Sequence, residues 1–145
     1  MNKKIKVIFL GRGKIASNCY DIIKKKIFKN FFQVSSVVSN KKFFLKKKIN
    51  INKKIYLISN QNRNEKKIIQ IVKKNKIEII ISVHHPWILS EKLLKLVNYR
   101  AYNLHNADLP SYKGWNGISH TIINSEKKHF TTIHQMTKNV DEGNV

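Results

Sequence analysis

The sequence predicts an α/β domain, a mainly parallel sheet with helices on both faces and so three layers in all. Three observations carry that expectation. Short runs of aliphatic and β-branched residues, above all residues 6–10 and 77–83, have the length of buried strands. Segments with apolar residues at helical spacing separate them. A glycine turn, Gly11-Arg12-Gly13, stands between the first such strand and the first such helix, where doubly wound sheets make their tightest turn.

The elements follow in order. Residues 6–10 (Lys-Val-Ile-Phe-Leu) form the first strand, and Ile15, Cys19, Ile22 and Ile23 then recur on one helical face. A second strand is expected over residues 33–38. The stretch 40–54 is basic and Asn-rich, with Phe43, Phe44 and Leu45 as its apolar cluster. A weak strand at 55–58 precedes a polar turn at 60–64. Ile68, Ile69, Ile71 and Val72 support a helix ending before Ile77. The strand at 77–83 is the strongest of all, and Pro86 ends it because proline disfavours regular structure at the preceding residue, His85. Ser90 is placed to cap a helix over 91–97. Arg100-Ala101-Tyr102 leads outward as a strand to Asn103 and His105, and a loop over 106–116 carries Pro110 and Gly114. A helix over about residues 118–124 and an alternating strand over 131–136 complete the pattern. There are no internal repeats.

The 145 residues suffice for one domain with a real core. The basic start is followed by only a short apolar run ending at Gly11, which argues against a signal peptide, and no segment has the apolar length of a membrane span. A single cysteine, Cys19, excludes an internal disulfide and reads as a structural thiol on the first helix. A reducing cytoplasm is the expected setting. The net charge of +21 invites a nucleic-acid reading. Yet all but Arg12, Arg63 and Arg100 of the 29 basic residues are lysine, whereas planar bidentate recognition of phosphates and bases favours arginine. The lysines are scattered through every segment, and Ile, Lys and Asn make up 65 of the 145 residues. Compositional drift toward A/T-rich codons fits this better than selected polyanion binding.

The glycine turn leaves two readings open. Gly11-Arg12-Gly13-Lys14-Ile15-Ala16 fits the G-x-G-x-x-A dinucleotide pattern in the right context, but the second strand ends in Ser39-Asn40 with no acidic residue to hold a ribose. That argues against a nicotinamide dehydrogenase. There remain a tight strand-to-helix turn, and an anion seat where free helix amides, Arg12 and Lys14 meet a phosphate.

The chemistry concentrates near the C-terminus. Asn103 and His105 have the i, i+2 spacing that places two side chains on one side of an extended segment. With the later carboxylate of Asp141 they could polarise a carbonyl and move a proton. No H-E-x-x-H or paired Cys/His spacing supports a metal site. No Ser/His/Asp signature supports an enzyme nucleophile.

Asn103-x-His105, then Leu109-Pro110-x-Tyr112-Lys113-Gly114, then His134-x-Met136 and Asp141-x-Gly143 resemble the folate-dependent formyltransferase family. That family includes methionyl-tRNA, glycinamide ribonucleotide and nucleotide-linked amino-sugar formyltransferases. The resemblance is close over about residues 80–145 and holds in outline before them. It implies a Rossmann-like catalytic domain over residues 1–145, with 10-formyltetrahydrofolate as co-substrate and no metal. It implies that Asn103 and His105 donate to the oxygen of the formyl group while Asp141 orients His105 and accepts a proton. Trp87, Ile88, Leu89 and Leu94, with the backbone around Val140, would cover the pterin. The turn Gly11, Arg12, Gly13, Lys14, together with Lys113, would face an anionic amine acceptor. Trp115-Asn116-Gly117-Ile118-Ser119-His120 resembles the nucleotide-linked amino-sugar enzymes more than the tRNA enzymes, so a nucleotide sugar is the first acceptor expected and methionyl-tRNA the second. A catalytically inactive, basic RNA- or anion-binding domain is the alternative of a different class. The oligomeric state is left open.

Three departures accompany the resemblance. Asp108 stands where a small or apolar residue is usual, and His84-His85 where relatives often have a small residue or glycine. The sequence also ends just after Asp-Glu-Gly, where relatives continue. The domain is therefore expected to be incomplete at its C-terminal end, with an open edge after Met136 and Asp141 loosely held.

Overall fold

The computed structural model describes residues 3–39, 55–57 and 65–145. Among these, the strands are β1 (Ile5–Gly11), β2 (Phe32–Ser39), β3 (Ile55–Leu57), β4 (Ile79–Val83), β5 (Ala101–His105) and β6 (Thr132–Gln135). The helices are α1 (Gly13–Ile23), α2 (Lys26–Lys29), α3 (Glu65–Asn75), α4 (Glu91–Lys95) and α5 (Gly117–Ile123). The strands form one sheet in the order β3-β2-β1-β4-β5-β6. All neighbours run parallel except β6, which is antiparallel to β5. The expected α/β architecture is the observed one.

β1 explains the layering. Ile8, Phe9 and Leu10 are fully buried, and successive side chains of a strand point to opposite faces. Ile8 and Leu10 join Ile68 and Val72 of α3 and Leu93 and Leu94 of α4 in one core. Phe9 joins Ala16 and Tyr20 of α1 in a second core on the other face, with the Phe9 and Tyr20 rings 5.5 Å apart. A strand flanked on both faces must be apolar throughout, which is why its sequence lacks alternation. Cys19 packs at the edge of the second core, and burial raises its thiol pKa, as suits a structural cysteine.

Because β1 lies between β2 and β4, the strand order reverses there and opens a crevice at the C-terminal ends of β1 and β4. Gly11 sits at that point. A Cβ on it would lie 2.8 Å from Ala16 Cβ, 2.9 Å from Phe9 Cε1 and 2.9 Å from the Val83 carbonyl. Close packing of β1, α1 and β4 therefore requires glycine.

Several boundaries differ from the expected ones. The basic stretch 40–54, Ile58 and the turn 60–64 lie outside the described residues. Nothing in the sequence predicts α2, because four residues give too short a window for periodicity. Ser90 caps as expected, its Oγ accepting from Leu93 N at 3.3 Å, but α4 stops at Lys95 and tighter turns carry the chain onward, Leu96 N to Leu93 O and Val97 N to Leu94 O.

The segment after β6 corrects the expectation of a loosely held Asp141. Met136 N donates to Ala101 O on the β5 side, and Gln135 N, facing the opposite way, donates to Asn144 O at 2.8 Å. The chain thus doubles back along the outer edge of β6. Gly143 makes this close return possible, since a Cβ there would run into the Gln135 carbonyl.

Candidate active site

The C-terminal ends of β1, β4 and β5, the loop after β5 and the segment after β6 enclose a cavity of about 510 Å³. Its lining includes Arg12, His84, Trp87, Asn103, His105 and Asp141. Asn103 and His105 stand on β5, and the antiparallel register sets His134 of β6 directly opposite Asn103. Asn103, His105 and Asp141, the trio expected from the sequence, come together here with His134 among them.

Asp141 is the hub. Its Oδ2 accepts from Gly114 N at 2.8 Å and lies 3.4 Å from His105 Nδ1. Its Oδ1 lies 3.2 Å from His134 Nε2. The side chains of His105, His134 and Asp141 are 11%, 3% and 8% exposed, so water screens these contacts little. Burial alone would raise the Asp141 pKa. The hydrogen bond from His134, the Gly114 amide and the charges of the two imidazoles outweigh it and hold the carboxyl below its ordinary value.

Each imidazole is fastened at its far side to a backbone carbonyl. His105 Nε2 donates to Tyr112 O at 2.7 Å, and His134 Nδ1 to Gln135 O at 3.1 Å. Asn103 Nδ2 lies 3.3 Å from His134 Nε2. The loop after β5 is thus stitched to the cluster through its own backbone, Tyr112 O to His105 and Gly114 N to Asp141.

The remaining expected site residues divide. Trp87, Ile88, Leu89 and Val140 line the cavity, with Ile88 and Val140 open to solvent. Leu94 does not: it is fully buried in the core, on the inner face of α4 beside Leu93. Arg12 lines the cavity, whereas Gly11 is used up in packing. Gly13, with φ +85° and no atom within 4 Å of where a Cβ would stand, faces open space beside Lys14 at the start of α1. Lys113 reaches Glu142 Oε1 at 3.3 Å, outside the cavity lining.

Sequence reasoning leaves three features unassigned. His134 enters there only as part of a motif, and it is the register of β6 against β5 that sets it opposite Asn103. His84 and His85 also line the cavity. Burial first and the Arg12 charge second lower both pKa values, that of His85 to about 4. Trp115, 67% exposed on the cavity lining, offers a flat apolar face at the loop. Among the described residues, no group of three or more His, Cys, Asp or Glu side chains is arranged to hold a metal ion, and no helix is long and apolar enough to cross a membrane.

Residues 3–145 match the family described as formyl transferase. The chain is 39% identical over 82 residues to a bifunctional polymyxin resistance protein of Wigglesworthia glossinidia brevipalpis, a stretch covering 57% of this chain and 12% of that protein. It is 34% identical over 80 residues to a methionyl-tRNA formyltransferase of Thermotoga neapolitana, covering 55% of this chain and 26% of that protein. In structure it resembles a phosphoribosylglycinamide formyltransferase of Bacillus halodurans, with a TM-score of 0.80 at 20% identity over 96% of this chain and 75% of the other.

Proposed function

The chain belongs to the formyl transferase family, and on that premise we propose that it moves a formyl group from 10-formyltetrahydrofolate to an acceptor amine. The observation that carries this reading is the convergence of Asn103, His105 and Asp141 on one wall of the cavity, with Asp141 within 3.4 Å of His105. The acceptor amine is its own nucleophile, so the chain need supply only charge stabilisation and a path for a proton.

As the amine attacks, a carbon–nitrogen bond forms and negative charge builds on the formyl oxygen. The Asn103 amide donates to that oxygen, and the His105 ring, giving up its contact with the Tyr112 carbonyl, adds a second donor. The amine gives up a proton to the Asp141 carboxylate, directly or through water. The bond from the formyl carbon to the donor nitrogen then breaks, and the proton returns to that nitrogen. The lowered Asp141 pKa keeps the carboxylate charged, which suits it to orienting the His105 ring and favouring its protonated form.

The fit of the donor rests on Trp87, Ile88 and Leu89, which present an apolar wall beside the backbone around Val140. In this reading Arg12 and the free amides at the start of α1 take the negative charge of the acceptor, aided by Lys14. A nucleotide-linked amino sugar is the acceptor class favoured, because exposed Trp115 gives a planar group somewhere to stack while Arg12 takes a phosphate. Methionyl-tRNA is the second candidate, favoured by the net charge of +21. Residues 1–145 belong to the catalytic domain in this reading, and one-carbon chemistry of this kind fits a cytoplasmic setting.

A side-by-side assay tests the reading. The protein is incubated with 10-formyltetrahydrofolate and a panel of amines, and release of tetrahydrofolate is followed. Release dependent on a nucleotide amino sugar is expected. No release with any amine, together with tight polyanion binding that weakens steeply with salt, would favour the inactive binding domain instead.

A further inference from the structure

His134 stands inside the cluster without a task in the reaction just described. Its side chain is 3% exposed, and its Nδ1 faces the Gln135 carbonyl at 3.1 Å. A carbonyl only accepts, so Nδ1 carries a proton whenever that bond is made. Nε2 is then the nitrogen free to gain or lose one. It lies 3.3 Å from Asn103 Nδ2, a donor, and 3.2 Å from Asp141 Oδ1, an acceptor. A bare Nε2 can accept from Asn103, and a protonated Nε2 can donate to Asp141.

We propose that His134 is a positioning residue for the transfer, whose Nε2 holds the Asn103 amide when bare and the Asp141 carboxylate when protonated. One Asn103 N–H placed on His134 fixes which way round the carboxamide sits. Its second N–H, rather than its oxygen, is then available to the formyl group. A wrongly turned amide would set oxygen against developing negative charge. A proton arriving through Asp141 shifts the ring to its other partner and releases the first N–H. That proton is the one the acceptor amine gives up, and it returns to the departing nitrogen, so the ring ends as it began. The other titratable groups facing His134 are Asp141 from the segment after β6 and His105 from β5, whose ring centroid lies 6.3 Å away at 80°.

The task given to His134 rests on the formyl-transfer reading, but its hydrogen bonds can be observed without turnover. In the full chain labelled with ¹⁵N and ¹³C, the His134 ring nitrogens and the Asp141 carboxyl carbon are followed by NMR across pH. Nδ1 should stay protonated throughout, and any change of protonation should appear at Nε2. The Asp141 midpoint should move upward in His134→Leu and less in His134→Gln, which keeps a donor. A neutral ring with its proton on Nε2 and a bare Nδ1 overturns the proposal, as does a folded His134→Leu with the Asp141 midpoint unmoved. If His134→Leu does not fold, the ring of the parent protein decides alone. With a working acceptor, kcat of His134→Gln should fall on the order of tenfold to a hundredfold at unchanged KM, the scale of a slightly misplaced catalytic group. That loss should largely vanish in an Asn103→Ala background. An equal loss in both backgrounds marks a merely structural role and overturns the proposal. Expected spectra without turnover would count against formyl transfer and leave the exchange of partners standing.

Discussion

The backbone amide of Gly114 donates to Asp141 Oδ2 at 2.8 Å, so one carboxylate fastens the loop after β5 to the segment after β6. Gly114 makes this contact at φ +80°, with open space where a side chain would begin. Its constraint is therefore conformational rather than steric. Gly114→Ala should destabilise the fold by about 1–2 kcal/mol, the usual cost of a left-handed L residue, and Gly114→Asn by less. Denaturant midpoints of the three proteins check the ranking.

Asn103→Ala should lower turnover on the order of a hundredfold or more, the usual scale for losing one oxyanion donor, with donor binding little changed. His105→Ala and Asp141→Asn should cost at least as much. The combined losses should fall far short of additive, because the residues serve one transition state. Single and multiple variants shown to be folded by circular dichroism supply the comparison. Full activity in any single variant would sink the assignment.

His85 should make stability depend on pH. Its Nε2 is buried with no hydrogen-bond partner, and burial, then the Arg12 charge, lower its pKa from 6.5 to about 4. The folded state therefore resists a proton that the unfolded chain accepts. This group's stabilising contribution is full above the unfolded value of 6.5 and is progressively lost as pH falls toward about 4. His85→Phe should flatten that part of the profile and be at least as stable at neutral pH, since it removes an unsatisfied nitrogen while keeping an edge-on ring against Trp87. Urea midpoints measured through this window would show no change in slope if the reasoning fails.

Gly11→Ala should destabilise by about 1–3 kcal/mol, the range for overpacking a well-filled core, because two of the three atoms its Cβ would meet belong to β-strand residues of the sheet. Ala16→Gly in the same chain should return part of the loss by clearing the nearest contact. A thermal melt of single and double variants decides this, and equal instability in both would point to the Val83 carbonyl instead.

How much of the molecule is legible in its sequence follows from what each feature depends on. β1 and β4 are readable because a strand covered on both faces needs unbroken apolar residues, and nothing else in the chain imitates that. Asn103, His105 and Asp141 are readable as a motif, although only the fold brings a residue beyond β6 against β5. Leu94 misleads because an apolar residue near a pocket looks the same in sequence as one packed beneath it. His134 is easily undervalued because its role depends on cross-strand register, which a single strand does not display. The backbone groups of Tyr112 and Gly114 carry no side-chain signature at all, yet they hold His105 and Asp141.

Three residues on the cavity lining, His84, Asn116 and Asp141, adopt left-handed backbone angles of φ 53°, 64° and 54° without being glycine. Asparagine and aspartate tolerate this region better than most residues, histidine somewhat less. Each such turn aims its side chain in a direction that ordinary helix or strand backbone cannot reach. The direction of these three side chains is consequently set by the backbone itself. Random mutagenesis should therefore find these positions far less permissive than their exposure suggests. Asparagine at 141 preserves the shape while deleting the charge, whereas valine there would abolish both together.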